Sequence, residues 1–160
     1  MCYAYFVPHS RYDQLDELLT RIHVARQRPQ WRRRVLGTDS VVANVSTLRV
    51  LRAVEQSRQP DGASIRDVAE YLAVEHSTAS RLVATVVAAG LLSKSSAADD
   101  QRRCTLVLTE VGRKELLAVT QRRRALVAET VSDWAEPDVD SLVTLLDRLA
   151  ERFELAAGRR

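Results

Sequence analysis

The chain has 160 residues, 46% hydrophobic and 28% charged, with a formal net charge of +3. This is an ordinary globular balance in a chain long enough to bury one core, so a single domain over 1–160 is expected. No apolar run approaches the roughly 18 residues of a membrane span, so no membrane-spanning helix is expected.

Aromatic residues are only 5% of the chain. The core must therefore be mostly Leu, Val and Ala, which suits packed helices. Cys2 and Cys104 are too few for a disulfide framework and fit no zinc spacing, so a reducing, cytoplasmic setting is expected. Met1 to Ser10 lacks a basic start and is broken by Pro8, unlike a signal peptide. The positive surplus permits a polyanionic partner. It is nearly all arginine, with Lys94 and Lys114 the only lysines, and that bias alone does not indicate phosphate recognition.

Along the chain, Leu15, Leu18, Leu19, Ile22 and Ala25 recur at helical spacing and predict a helix from about Tyr12 to Arg28, broken by Pro29. Residues 30–39 read as basic and then loop-like. Leu48, Leu51 and Val54 predict a helix over 46–56, and Pro60-Asp61-Gly62 a turn. Ser64, three residues before Asp67, is a capping-box pattern opening a helix from Ile65 to Leu72. A short connection, Ala73 to Glu75, leads to a helix from His76 to about Ala89, stopped by Gly90. Residues 91–96 read as extended, 97–101 as a polar turn, and 103–108 as an alternating strand with Cys104, Leu106 and Leu108 on one face. Thr109 caps a long helix ending near Trp134. Pro137, followed by Asp138 and Asp140, starts the last helix, whose seam is Leu142, Leu145, Leu146, Leu149, Phe153 and Ala156.

A short helix, a tight turn, a second helix and a hairpin form a winged helix-turn-helix. The fold class is therefore mainly α with a small β-hairpin wing, the DNA-binding lobe covering 46–110. Helical regions at 11–36 and 111–157 lie outside it, either for dimerisation or to pack onto their own subunit. In such a motif the second helix lies in the major groove and its N-terminal half reaches the bases. On the helix from His76, the outward positions are His76, Ser77, Thr78, Ser80, Arg81, Ala84 and Thr85. Small hydroxyls allow close approach, and an arginine can fork onto guanine. A solvated amphipathic helix is the bland alternative for Arg81, and N-terminal capping for Ser77 or Thr78. At the hairpin tip, an arginine of Asp99-Asp100-Gln101-Arg102-Arg103 can enter the minor groove while an aspartate holds it. A solvated charged turn explains the same residues.

Residues 46–112 resemble the MarR family (multiple antibiotic resistance regulators). The resemblance rests on Ser77-Thr78-Ala79-Ser80-Arg81-Leu82-Val83, Ala89-Gly90-Leu91-Leu92, Asp100-Gln101-Arg102-Arg103 and Val107-Leu108-Thr109-Glu110-Val111-Gly112, in order and at matching spacing. It implies a cytoplasmic bacterial regulator: a homodimer held by helices of both chain ends, reading a pseudo-palindrome in double-stranded DNA. Repression is the family default. Arg102 would enter the minor groove with Asp100 as its salt-bridge partner. A small, frequently aromatic effector often releases DNA in this family. The candidate DNA contacts are Ser64, His76, Ser77, Thr78, Ser80, Arg81, Lys94, Asp100, Arg102 and Arg103, and the effector-binding residues are not legible. Lys94 stands where the family often has arginine, Ala97-Ala98 replaces the usual wing proline, and 29–44 is longer and more basic than the pattern.

No enzyme, metal or cofactor is expected. His9, His23 and His76 are isolated, and neither a nucleophile elbow nor a phosphate-cradling loop occurs. Two alternatives share the fold. One is a redox sensor using Cys2, which needs a thiolate-stabilising setting; Cys104 is expected in the core. The other is a winged helix used for protein contact, whose recognition face should be apolar or acidic rather than polar and basic.

Overall fold

Ser10 opens the first helix through a full capping box: its hydroxyl accepts from the Asp13 N–H, and its own N–H donates to the Asp13 carboxylate. In this computed structural model, α1 spans Arg11–Gln27. Residues 10–37, 40, 42, 44–57, 62–97 and 100–158 are described, with backbone alone at 96–97 and 100–104. Cys2, His9 and the expected turn residues Pro60 and Asp61 lie outside the described residues, as does the side chain of Cys104. The chain divides into two compact units, Met1–Arg123 and Arg124–Arg160. Their boundary falls within the long sixth helix.

Arg28 is extended, as a residue before proline must be, and Pro29 begins a second helix. This α2 covers Pro29–Leu36, a helix not singled out within the basic stretch, and stops at Gly37, where the loop-like reading begins. Proline at the first helical position pre-sets the backbone, and Trp31 and Val35, one turn apart, share the inward side. Arg122 of the sixth helix holds the far end. Its Nε donates to the Val35 carbonyl (3.0 Å) and its Nη2 to that of Leu36 (2.6 Å), satisfying two carbonyls that a helix end leaves free. Ser40 Oγ adds a 2.8 Å bond to Glu115 of the same helix.

Asn44 caps α3 (Val45–Glu55) by accepting from the Thr47 N–H. This helix is the centre of the lobe, with Leu48, Val50, Leu51, Ala53 and Val54 buried. It packs on α4 (Ile65–Leu72) and α5 (His76–Ala88), which also pack on each other. Their inward residues are Val68, Ala69 and Leu72, then Ala79, Val83 and Val86.

The hairpin follows. Gly90 takes φ 71° in a paired C-terminal cap, where its N–H bonds the Val87 carbonyl and that of Leu91 reaches Val86. β1 (Leu92–Ala97) and β2 (Asp100–Leu108) pair antiparallel, Leu92 opposite Leu108 and Lys94 opposite Leu106. The strands reach further toward the tip than the alternation alone indicated. Ala63 adds a one-residue third strand, exchanging two backbone bonds with Leu106.

The sixth helix, α6 (Glu110–Thr130), enters under Thr109, whose Oγ1 donates to the Gly90 carbonyl (2.7 Å) and accepts from the Gly112 N–H (3.0 Å). α7 spans Glu136–Ala156, one residue earlier than the proline suggested. On its seam, Leu145 and Phe153 are 59% and 58% exposed. α1 likewise buries no residue, and Leu15, Leu18 and Ile22 stay exposed. Among the described residues, no helix is long and apolar enough to cross a membrane.

Candidate nucleic-acid interface

The turn between α4 and α5 sets how the second helix stands on the first. Ala73 ends α4 in the left-handed conformation, φ 54° and ψ 50°, and the Val74 N–H closes back on the Ala69 carbonyl at 3.1 Å. Arg49 Nη2 supports the same end by donating to the Leu72 carbonyl. A left-handed alanine is strained because its Cβ crowds the following carbonyl oxygen. Ala73→Gly is therefore expected to stabilise the protein by about 1 kcal/mol, offset in part by the freer unfolded chain. A chemical denaturation midpoint at or below the parent's would contradict this.

The turn delivers α5 with its apolar side inward and its first turn outward. Glu75 occupies the N-cap without a side-chain hydrogen bond. Ser77 and Thr78 are thus inside the helix and do not cap it. The start of α5 lacks an internal side-chain acceptor, which suits a helix N-terminus meeting phosphate. His76, Ser77 and Arg81 are exposed, and Thr78 and Ser80 half-buried. Arg81 stands one turn from Ser77 and Thr78, so the three occupy one outward strip. Thr85 turns its hydroxyl back to the Arg81 carbonyl at 3.1 Å.

Ser64 is placed differently. Its hydroxyl accepts from the Asp67 N–H at 3.1 Å and donates to the Asp67 carboxylate at 2.9 Å, so both of its roles are taken within the capping box. Lys94 is exposed on β1. Asp100, Arg102 and Arg103 lie on the tip-proximal half of β2, and their side chains are outside those described. The Ala63 bridge, which ties the hairpin base to the chain ahead of α4, was not anticipated. A single residue has no periodicity to reveal it.

A two-helix motif with an outward polar N-terminus on the second helix, followed by a hairpin, defines a winged helix-turn-helix protein. Residues 44–103 match the model of the MarR family. Across nearly the whole chain, the fold is similar to that of a MarR family transcriptional regulator from Silicibacter pomeroyi. That likeness has 27% identity and a TM-score of 0.68, covering 96% of this chain and 97% of that one. A MarR family protein from Bacillus stearothermophilus is similar at 16% identity and TM-score 0.76, over 89% of this chain and 94% of that one. FabT of Streptococcus pneumoniae, solved in complex with DNA, is similar at 18% identity and TM-score 0.73, over 89% and 97%. No curated protein matches the sequence. The winged helix thus carries the match to the MarR family model, and the fold is similar to that of MarR family proteins over nearly the whole chain.

Proposed function

We propose that this protein is a sequence-specific transcriptional regulator that binds a pseudo-palindromic operator as a homodimer, acts as a repressor, and responds to a small ligand. The observation that carries the DNA-binding part is the outer strip of α5. It is polar and cationic, with Ser77, Thr78 and Arg81 together and no side-chain cap at the helix start. A helix used for protein contact would expose an apolar or acidic strip instead. In this reading His76, Ser77, Thr78, Ser80 and Arg81 meet the major groove. Lys94 and Arg103 meet phosphates, and Arg102, steadied by Asp100, enters the minor groove. Ser64 approaches the backbone through its helix terminus, its hydroxyl being engaged.

Two-fold pairing is supported by the bare apolar seams of α1 and α7, which in water call for a partner. A second copy of the same chain would cover them. The expected mass in solution is therefore twice the 18.0 kDa of one chain. Leu145→Glu with Phe153→Glu is expected to give monomer by light scattering and to weaken duplex binding. A parent protein that already runs as monomer would remove the dimer from this reading.

The direct test is fluorescence anisotropy with labelled duplex from the gene's upstream region against a scrambled duplex, over several salt concentrations. Preference for the upstream duplex, with affinity falling steeply as salt rises, is the expected result. Absence of binding to either duplex at low salt would refute it.

A further inference from the structure

Glu75 stands at the entrance to α5, and its side chain takes no part in the helix it opens. Its backbone is fixed. The carbonyl accepts from the Thr78 N–H at 2.9 Å and from the Ala79 N–H at 3.0 Å, and the extended conformation (φ −61°, ψ 146°) leads the chain into the helix. The residue is exposed, and its carboxylate makes no cap hydrogen bond. Ser, Thr, Asp and Asn cap helices well because their short side chains reach back to the first N–H groups. The longer glutamate does not do so here. It shares an open groove with Thr78 of the outer strip, the other lining residues being Ala69, Glu70, Ala73 and Val74. Among the described residues, no cation lines that groove.

Glu75 thus adjoins the strip of Ser77, Thr78 and Arg81 at its N-terminal end. On a duplex a carboxylate is repelled by the backbone phosphates. The groups that can offset this repulsion are donors on the base edges, which in the major groove are N4 of cytosine and N6 of adenine. They differ for a group that only accepts. Adenine sets its N7 lone pair beside N6, against the second carboxylate oxygen, whereas cytosine flanks N4 on its own ring with a C–H. Cytosine is the better match.

We propose that Glu75 is a specificity-determining residue whose carboxylate accepts a hydrogen bond from the N4 amino group of a cytosine in the major groove. This rests on the DNA-binding reading above and adds to it a base contact at the helix start. Arg81 lies six residues further on, about 9 Å along the helix axis, so the two side chains address different base pairs. The arginine is attracted to every duplex, while the carboxylate is repelled by every duplex and compensated only at cytosine. Glu75 therefore widens the gap between the right site and others more than it adds to affinity.

The test is duplex anisotropy with the full chain, using the preferred upstream duplex, all its single-base variants and the scrambled duplex. The parent is compared with Glu75→Ala, Glu75→Gln and Glu70→Gln. Glu75 is exposed, so circular dichroism melts of its variants should follow the parent's. Glu75→Ala is expected to lose about fivefold or more of the discrimination at one position, a cytosine on either strand, and to bind the scrambled duplex more tightly. Glu75→Gln should move the preference at that position toward adenine, whose N6 and N7 a carboxamide meets together. Glu70→Gln removes the same charge from the same groove and should change all duplexes alike, with base preference intact. An unchanged base preference in Glu75→Ala, a loss at a position other than cytosine, or a uniform change like that of Glu70→Gln would overturn the proposal. In each of these cases the parent's own sequence preference stands, and with it the DNA-binding reading. A parent that prefers no duplex would overturn both.

Discussion

Gly112→Ala is expected to be among the most damaging single substitutions in the chain, costing about 3 kcal/mol or more. Gly112 sits in the first turn of α6 against Leu91, just beyond the end of α5. A Cβ there would overlap the carbonyl oxygen of Leu91 and crowd the same residue's backbone carbon atoms. That carbonyl cannot retreat easily. It accepts from the Thr109 N–H at 3.2 Å, and Leu91 itself is fully buried. Thr109 joins the same junction by bonding Gly90 on one side and Gly112 on the other. The clash is therefore with backbone on both sides, where no rotamer change relieves it. A thermal melt followed by circular dichroism should show a fall of roughly 6–12 °C for such a loss in a chain of this size. A melting temperature within a degree or two of the parent's would mean that α6 does not approach α5 this closely. The same junction connects α5 to the hairpin and α6, so the variant should also lose duplex affinity beyond what its unfolded fraction explains.

The other large effect is expected from Arg81→Ala, measured by anisotropy with the preferred duplex and with single-base variants of it. Loss of a forked arginine–guanine contact removes about 1–3 kcal/mol, or roughly five- to 150-fold, and this should appear as lost discrimination at one base position. Arg102→Ala should behave differently. It should weaken all duplexes alike and lower the salt slope by about one, as loss of a backbone or groove-charge contact does. The contrast matters more than either value. Arg81 is exposed on the outer strip of α5 and makes no contribution to the core, so its loss should leave the melting temperature within experimental scatter. If Arg81→Ala binds every duplex like the parent, the strip has been placed on the wrong side of the helix.

Some of this was legible in the residues because the signal is local. The Ser64–Asp67 box, the Gly90 stop and the alternation through Leu106 each use interactions within a few residues, and the structure forms each of them. The helix over 29–36 was missed for a related reason. Its eight residues carry three arginines and only Trp31, Val35 and Leu36 as apolar markers, too few for a periodicity. Its end is satisfied by Arg122, more than eighty positions away in the chain.

By itself, the sequence determined the order of the helices other than α2, the hairpin, the apolar seams and the chemistry available on α5, since capping, propensity and hydrophobic spacing act over one or two turns. Tertiary structure decided what those local rules cannot reach. It closed the end of α2 with Arg122 of α6 and added Ala63 to the hairpin. Each of these depends on which distant group occupies the remaining lone pair or donor, and only packing places that group.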